Sequence, residues 1–354
     1  MAEAPNGIVL FHYPFSPYAR RVTWYLQLRG IAYAQCIQPP VLPRPDLTAL
    51  SVSYRRIPLM TIGKDVYLDT RLILQKLEER FPEGKLGSDS PDGKATEKLL
   101  ESWMIEGPVF QRAAGLIPTN MPAMKDERFR KDREKFSGRP WSIEAIEKGR
   151  PENLTYIRHC FDILENTFLA DGRDWILKTE KPGLADIEGS PTCKIHLSQK
   201  RRRKKKGKKV NRITAIWPFD WLIEMPGALP KSLISPTTHP KVFAWVTRFR
   251  ADLKSSKTTA PKPVTLKGPD AVKIILASDF AEQNLSVDET DAQRLKKGAE
   301  VEIYPIDSGF SHKDRGFLVG LARNEVVVQG EKCRIHAPRT GFRVTEVGKE
   351  GSKL

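Results

Sequence analysis

Ile8-Val9-Leu10-Phe11-His12-Tyr13-Pro14-Phe15-Ser16-Pro17-Tyr18-Ala19-Arg20-Arg21-Val22 is the stretch from which the fold is read. Four apolar residues in a row, Ile8 to Phe11, fit a strand buried on both faces. A short loop follows, and Ser16-Pro17 then opens a helix. Serine accepts from free backbone N–H groups, and proline suits the first helical position, where no donor is needed. Ala19, Val22, Tyr25 and Leu26 continue one apolar stripe, and Gly30 ends it. Arg20 and Arg21 fall in the first turns, where a helix already presents positive charge. That arrangement opposes local stability, so the two arginines either serve an anion bound beside Ser16 or point into solvent.

Working outward, Ile31 to Ile37 reads as a second strand, and the proline-rich segment Gln38 to Arg56 as mostly irregular chain. Leu59–Ile62 and Val66–Leu68 flank Gly63-Lys64-Asp65, a hairpin signal. A helix from Thr70 to Arg80 turns Leu72, Ile73, Leu77 and Phe81 inward, and Pro82 stops it. This βαβ then ββα order makes residues 1–84 a small α/β unit. Residues 83–91 are a linker, and helical periodicity dominates residues 92–253. Leu99, Leu100, Trp103, Met104 and Phe110 keep helical spacing, as do Leu154, Ile157, Phe161, Leu164 and Phe168. His239-Pro240 opens a last helix. Lys254 to Lys267 reads as a second linker. Beyond it, short runs at 272–276, 301–304, 317–322, 326–329, 333–336 and 342–347 predict a small β-barrel-like module over residues 264–348.

The chain has 354 residues and a formal net charge of +16. Residues 189–214 hold eleven Lys/Arg and no acid, so only five of those charges belong to the rest of the chain. A basic surface spread over the fold is absent, and with it the expectation of a specific nucleic-acid partner. Joining Glu188 to Ala215 gives LADIEAIWPFDWL, with Leu184, Ile187 and Trp217 at helical spacing. Residues 189–214 therefore read as a disordered polybasic insertion in a continuous helix, of the kind a retained intron or gene-model error leaves. The rival reading is a nuclear-localisation or RNA-binding segment, although no aromatic residues are interleaved for base stacking. No run is long and apolar enough to span a membrane. The start, MAEAPNG, reads as neither signal nor transit peptide. Ser352-Lys353-Leu354 on the flexible tail 349–354 reads as an address for the peroxisomal import receptor; otherwise the chain is cytoplasmic. Cys36, Cys160, Cys193 and Cys333 form no CxxC pair, and the six histidines show no ligand spacing, so no metal is expected.

Three motifs, in order, resemble the thioredoxin-fold domain of glutathione transferases. They are Phe15-Ser16-Pro17-Tyr18-Ala19-Arg20-Arg21-Val22, Arg55-Arg56-Ile57-Pro58-Leu59-Met60, and Leu68-Asp69-Thr70 ahead of the helix Arg71–Phe81. Gly183-Leu184-Ala185-Asp186 is similar to the family's helix-capping motif, with Gly183 where serine or threonine is usual. The resemblance implies a thioredoxin-like α/β domain and an all-α bundle domain, with the β module as an addition similar to that of fungal relatives. It implies glutathione as co-substrate, a small hydrophobic electrophile, and a homodimer. It places a cis proline at Pro58, the peptide-pairing backbone at Ile57, and Phe15, Arg20, Arg56, Asp69 and Thr70 around glutathione. Trp103 and Phe110 fall on the hydrophobic substrate side. Ser16 is the candidate activator of the thiol, with Tyr13 as the competing hydroxyl.

The residues support such chemistry by themselves. A helix start at Asp69-Thr70 offers N–H groups and a hydroxyl to a carboxylate, and Asp69 offers a charge to an amine. Relatives that exchange disulfides carry cysteine where this chain has Ser16. A hydroxyl forms no mixed disulfide, so thiol addition or displacement is expected. The alternative is a fold retained for binding or scaffolding without catalysis, with the β module as contact surface.

Overall fold

The computed structural model describes residues 3–185 and 217–348. The insertion at 189–214, its junctions at Glu188 and Ala215, Cys193, and the tail holding Ser352, Lys353 and Leu354 lie outside the described residues. The contacts divide the chain into two units. One takes residues up to 77, together with 122–142 and those from 260 onward; the other takes 78–121 and 143–259.

In the first unit the N-terminal elements are β1 (Ile8–His12), α1 (Pro17–Arg29), β2 (Ala34–Ile37), α2 (Pro45–Ala49), β3 (Leu59–Ile62), β4 (Asp65–Leu68) and α3 (Thr70–Arg80). Helix α1 has the bounds its caps predict: Ser16 precedes it and Gly30, at φ +64°, ends it. Every residue of β1 is buried, as an uninterrupted apolar run requires. Strand β1 pairs parallel with β2 and antiparallel with β3, and β3 pairs antiparallel with β4. This is the thioredoxin-like order. In the β3–β4 turn, Gly63 has φ +56°, and a Cβ there would lie 2.2 Å from the Asp279 carbonyl, so only glycine fits.

The C-terminal part departs from the sequence expectation in three ways. First, 272–276 is not a strand. It belongs to a helix, Gly268–Ala277, opened by Pro269 and burying Ala271 and Ile275. Second, the expected linker holds β5 (Val264–Leu266), which adds to β2 in parallel. Third, β6 (Glu300–Pro305), β7 (Asp314–Leu321), β8 (Glu325–Gln329), β9 (Arg334–Pro338) and β10 (Phe342–Glu346) do not pair as a closed ring. They continue the first sheet through a parallel β4–β9 pair, giving one ten-stranded order, β10-β6-β7-β8-β9-β4-β3-β1-β2-β5. Barrel closure is replaced by sheet extension. One core serves both parts, with Val9, Phe11, Leu59 and Leu68 in a cluster with Val301, Leu318, Val328 and Ile335. The two outer strands of the N-terminal four, β4 and β2, are thus both covered by chain from beyond residue 260.

The second unit is helical: Pro91–Ile105, Val109–Ala114, Ile143–Ile163 with a π turn to Phe168, Trp217–Glu224 and Pro240–Ser256. Trp217, Trp245, Phe161, Phe219 and Phe249 fill its core. Glu165 accepts from the N–H groups of Lys241 and Val242, capping the last of these helices. No described helix is long and apolar enough to cross a membrane.

Candidate functional site

Helix α1 begins on a working cap. The Ser16 hydroxyl oxygen accepts from the Ala19 N–H at 3.2 Å, and the Ser16 N–H donates to the Tyr13 carbonyl at 3.1 Å. Capping uses an oxygen lone pair and leaves the hydroxyl proton for a second acceptor. Ser16 is 2% exposed. Phe15 is exposed, and its ring lies 4.7 Å from that of the half-buried Tyr13.

Arg20 is half-buried, whereas Arg21 is fully buried. Arg21 therefore does not point into solvent. Its guanidinium donates to the Thr70 hydroxyl at the start of α3 and so ties two helix starts together. The side chain near the start of α1 thus meets a partner within the protein.

The peptide between Ile57 and Pro58 is cis, and Ile57 is buried beside β3. The two preceding arginines act as anchors. Arg55 donates to Asp132 at 2.9 Å, and its guanidinium lies 5.0 Å from the Phe136 ring centroid. Arg56 donates to the Ser308 carbonyl through Nε at 3.0 Å and Nη2 at 2.7 Å, and pairs with the Asp307 carboxylate. Burial opposes its charge, but Tyr54 and Asp307 outweigh that and raise its pKa. Arg56, which the family resemblance assigns to glutathione, is thus engaged by the loop between β6 and β7.

Asp69 caps α3 from a left-handed conformation, φ +66°. Its carbonyl accepts from the Ile73 N–H at 3.0 Å. Its carboxylate accepts from the Arg71 N–H at 3.0 Å and from Arg71 Nε at 3.1 Å. A non-glycine residue held there carries strain of ~1–3 kcal/mol, and such strain clusters at ligand clamps. Burial pushes the Asp69 pKa up, but the charges of Arg71 and Arg56 win and hold it below the usual carboxylate range. Asp69 and Thr70 are therefore both engaged, by Arg71 and Arg21.

These contacts bring Arg21, Arg56, Asp69 and Thr70 into one set of helix starts and turns, in the same unit as Ser16. Tyr18 joins them. Burial raises its phenol pKa, and Arg56, Asp307, Asp69 and Arg21 all lie close enough to act on it. Sequence reading missed Tyr18, although it lies two residues past the cap. It also missed Asp307, which reads only as part of a turn. Phe15 stands apart from this set, packed on Tyr13. In the helical unit, the Phe110 ring lies 5.9 Å from that of Trp217 and 6.1 Å from that of Trp221, and Trp103 bonds to Tyr156. Cys36 is buried on β2, its thiol pushed up to about 12 by burial and the nearby Asp46. Among the described residues, Glu282, Glu325 and His336 bring potential metal-ligand atoms within 4.8 Å of one another. The Lys76 ammonium bonds both glutamates at 2.8 Å and supplies a positive charge there.

Residues 10–85 match the family described as glutathione S-transferase, N-terminal domain. Residues 112–196 and 194–258 match a domain of unknown function, DUF7962. The chain is similar to glutathione S-transferase U3 of Arabidopsis thaliana, 26% identical over 107 residues, or 30% of this chain and 48% of that protein. It is similar also to glutathione S-transferase U1 of the same plant, at 25% over 99 residues, 28% of this chain and 44% of that one. The chain spans about half the length of the curated relatives it matches. Among solved structures it is similar to a GST-like protein from Pseudomonas syringae. The TM-score is 0.64 and the identity 20%, over 96% of this chain and 99% of that one. So high a coverage includes C-terminal strands as well as the two-part fold. Residues 10–85 thus carry a glutathione S-transferase N-terminal domain, and the chain shares the fold of a GST-like protein.

Proposed function

We propose that the protein is a glutathione transferase that directs the glutathione thiolate at a small hydrophobic electrophile. The observation that carries this reading is the grouping of three starts in one unit: Ser16 on α1, the cis Ile57–Pro58 turn before β3, and Asp69-Thr70 on α3. Backbone at Ile57 is suited to pair with a peptide-like ligand. The N–H groups at the start of α3 suit a carboxylate, and Asp69 suits an amine. Phe15 and Arg20 would flank the tripeptide, and Trp103 and Phe110 are assigned to the apolar part of the electrophile.

Ser16 is the proposed activator. A thiol with pKa about 8.5 is only a few per cent thiolate at neutral pH. Lowering it by about two units requires about 2.7 kcal/mol. A hydrogen bond to a charged group contributes roughly 1.5–3 kcal/mol and a helix start roughly 0.3–1 kcal/mol. A hydroxyl proton not needed for capping, at a helix N-terminus, is therefore enough. Tyr13 is the competing donor.

One observation favours the second reading, a binding or scaffold protein without catalysis. Arg56 and Asp69 already have internal partners. Calorimetry with glutathione, paired with ultraviolet absorbance for thiolate, separates the two. Binding with a thiolate signal supports the transferase; binding without it favours the scaffold, and no binding removes both roles for glutathione. We further propose a homodimer, which sedimentation tests, and peroxisomal import through Ser352-Lys353-Leu354. A fusion with that terminus free that stays cytosolic would refute the import.

A further inference from the structure

The loop after β6 lies against the residues assigned to glutathione. Asp307 and Ser308 present a carboxylate and a peptide carbonyl to Arg56. Arg71, the partner of Asp69, reaches Gly341, where a Cβ would lie 2.6 Å from its Nη2. Gly341 has φ +78°, and its carbonyl accepts from the Ile306 N–H at 3.1 Å. Phe342 stacks on Tyr54 with ring centroids 5.9 Å apart. Two loops, 306–309 and 340–342, thus overlie Tyr54, Arg56 and Arg71.

The first of these loops is held by polar contacts. Ile306 and Phe310 are 54% and 45% exposed and contribute little burial. Besides the Ile306 bond to Gly341, the Gly309 N–H donates to the Phe136 carbonyl at 2.8 Å, and the Arg56 fork holds Asp307 and Ser308. Asp307 is 45% exposed, so water and salt compete for its ion pair. By contrast β6 and β7 bury Val301, Ile303 and Leu318, so the strands are fixed while the loop between them is lightly held.

A carboxylate next to a peptide carbonyl is also the chemistry of the tripeptide's C-terminal end, and a guanidinium fork binds such a group in two places. We infer that Asp307-Ser308 is an internal competitor for Arg56, an autoinhibitory cover that a glutathione-like peptide carboxylate must displace. This inference rests on the transferase-site reading above. Its consequence is that apparent affinity falls by the fraction of molecules whose loop is open.

The test is calorimetry of the full chain with glutathione, comparing wild type with Asp307→Ala and Asp307→Asn. Amide hydrogen exchange over residues 306–310, with and without glutathione, supplies the second measurement. Both variants are expected to bind about tenfold more tightly if roughly a tenth of wild-type molecules are open. Glutathione is expected to speed exchange over the loop in wild type. Equal or weaker binding by the variants, or exchange that glutathione leaves unchanged, overturns the cover and leaves the glutathione reading standing. If neither wild type nor the variants bind glutathione, that reading falls and the cover falls with it.

Discussion

The Asp65 carboxylate on β4 lies 2.9 Å from Nε2 of His336 on β9, and neither residue is exposed. His336 Nδ1 faces Glu325 at 2.8 Å, so both ring nitrogens meet carboxylates and both must carry protons to donate. Arg334 closes the other side of Asp65 at 2.7 and 3.0 Å. Burial lowers the His336 pKa, but Asp65 and Glu325 outweigh it and the net shift is upward. Burial raises that of Asp65, yet His336 and Arg334 bring it down to about 2.

The pH dependence of stability follows from the sign of the His336 shift. A raised folded pKa contributes stability that is full below the unfolded value of about 6.5 and is lost as pH rises through the folded value. His336→Gln is expected to lower the thermal midpoint most at pH 6, by an amount equivalent to ~3–5 kcal/mol for a broken buried pair. Thermal unfolding from pH 5.5 to 9 checks this. Parallel profiles for wild type and variant would remove the imidazolium from the account.

Asp314 works in the same pH direction for the opposite reason. Burial raises its carboxyl to about 7, partly offset by the Ser53 and Tyr54 N–H groups. Its neutral form is favoured, so stability is full below about 4 and is lost as pH rises through 7. Asp314→Asn keeps an acceptor for the Ser53 N–H and removes the buried charge. It is expected to raise stability by a few kcal/mol at pH 8, at ~1.4 kcal/mol per pKa unit, and to change little at pH 4. Chemical denaturation at the two pH values is the measurement, and an equal effect at both contradicts the assignment.

Ser16→Ala separates capping from activation. Loss of the cap costs about 1 kcal/mol of stability. Loss of thiolate stabilisation worth about 2.7 kcal/mol lowers the conjugation rate about 100-fold. Tyr13→Phe is expected to leave the rate within a few-fold. Rate measurements at saturating glutathione, with thiolate absorbance read alongside, decide the matter. The reverse ranking moves the activating role to Tyr13.

Arg21→Met retains much of the side-chain volume and removes the bond to Thr70. Because Arg21 is fully buried and its partner hydroxyl is 3% exposed, Thr70 loses a donor that water cannot easily replace. The expected loss is ~1–3 kcal/mol in urea unfolding. A variant as stable as wild type would show that α1 and α3 do not depend on this tie.

Local signals in the sequence translated well. Ser16-Pro17 and Gly30 delimit α1 because capping depends on neighbours within one turn. Gly63-Lys64-Asp65 marks the β3–β4 hairpin for the same reason. What failed was partner choice over long separations. Val272-Lys273-Ile274-Ile275-Leu276 has a β-like composition, but Pro269 and a face packed on the core make it helical. Nothing local to Tyr67 says that its parallel partner is His336. Among the candidate site residues, Ser16, the cis Pro58 and Asp69-Thr70 were found from motif and cap chemistry. Arg21 was misread, and the contacts of Arg56 to Asp307 and Ser308 were missed, because charge alone does not reveal a distant internal partner.

The two outer strands of the N-terminal sheet are covered by β5 and β9, which a ribosome delivers only after the helical unit. Until residues 264–338 emerge, β2 and β4 present open rows of N–H and C=O groups. At ~5–20 residues per second, that interval lasts on the order of tens of seconds. Through that interval the nascent chain carries two sites for mispairing, and its first domain is completed only after the helical unit has been translated.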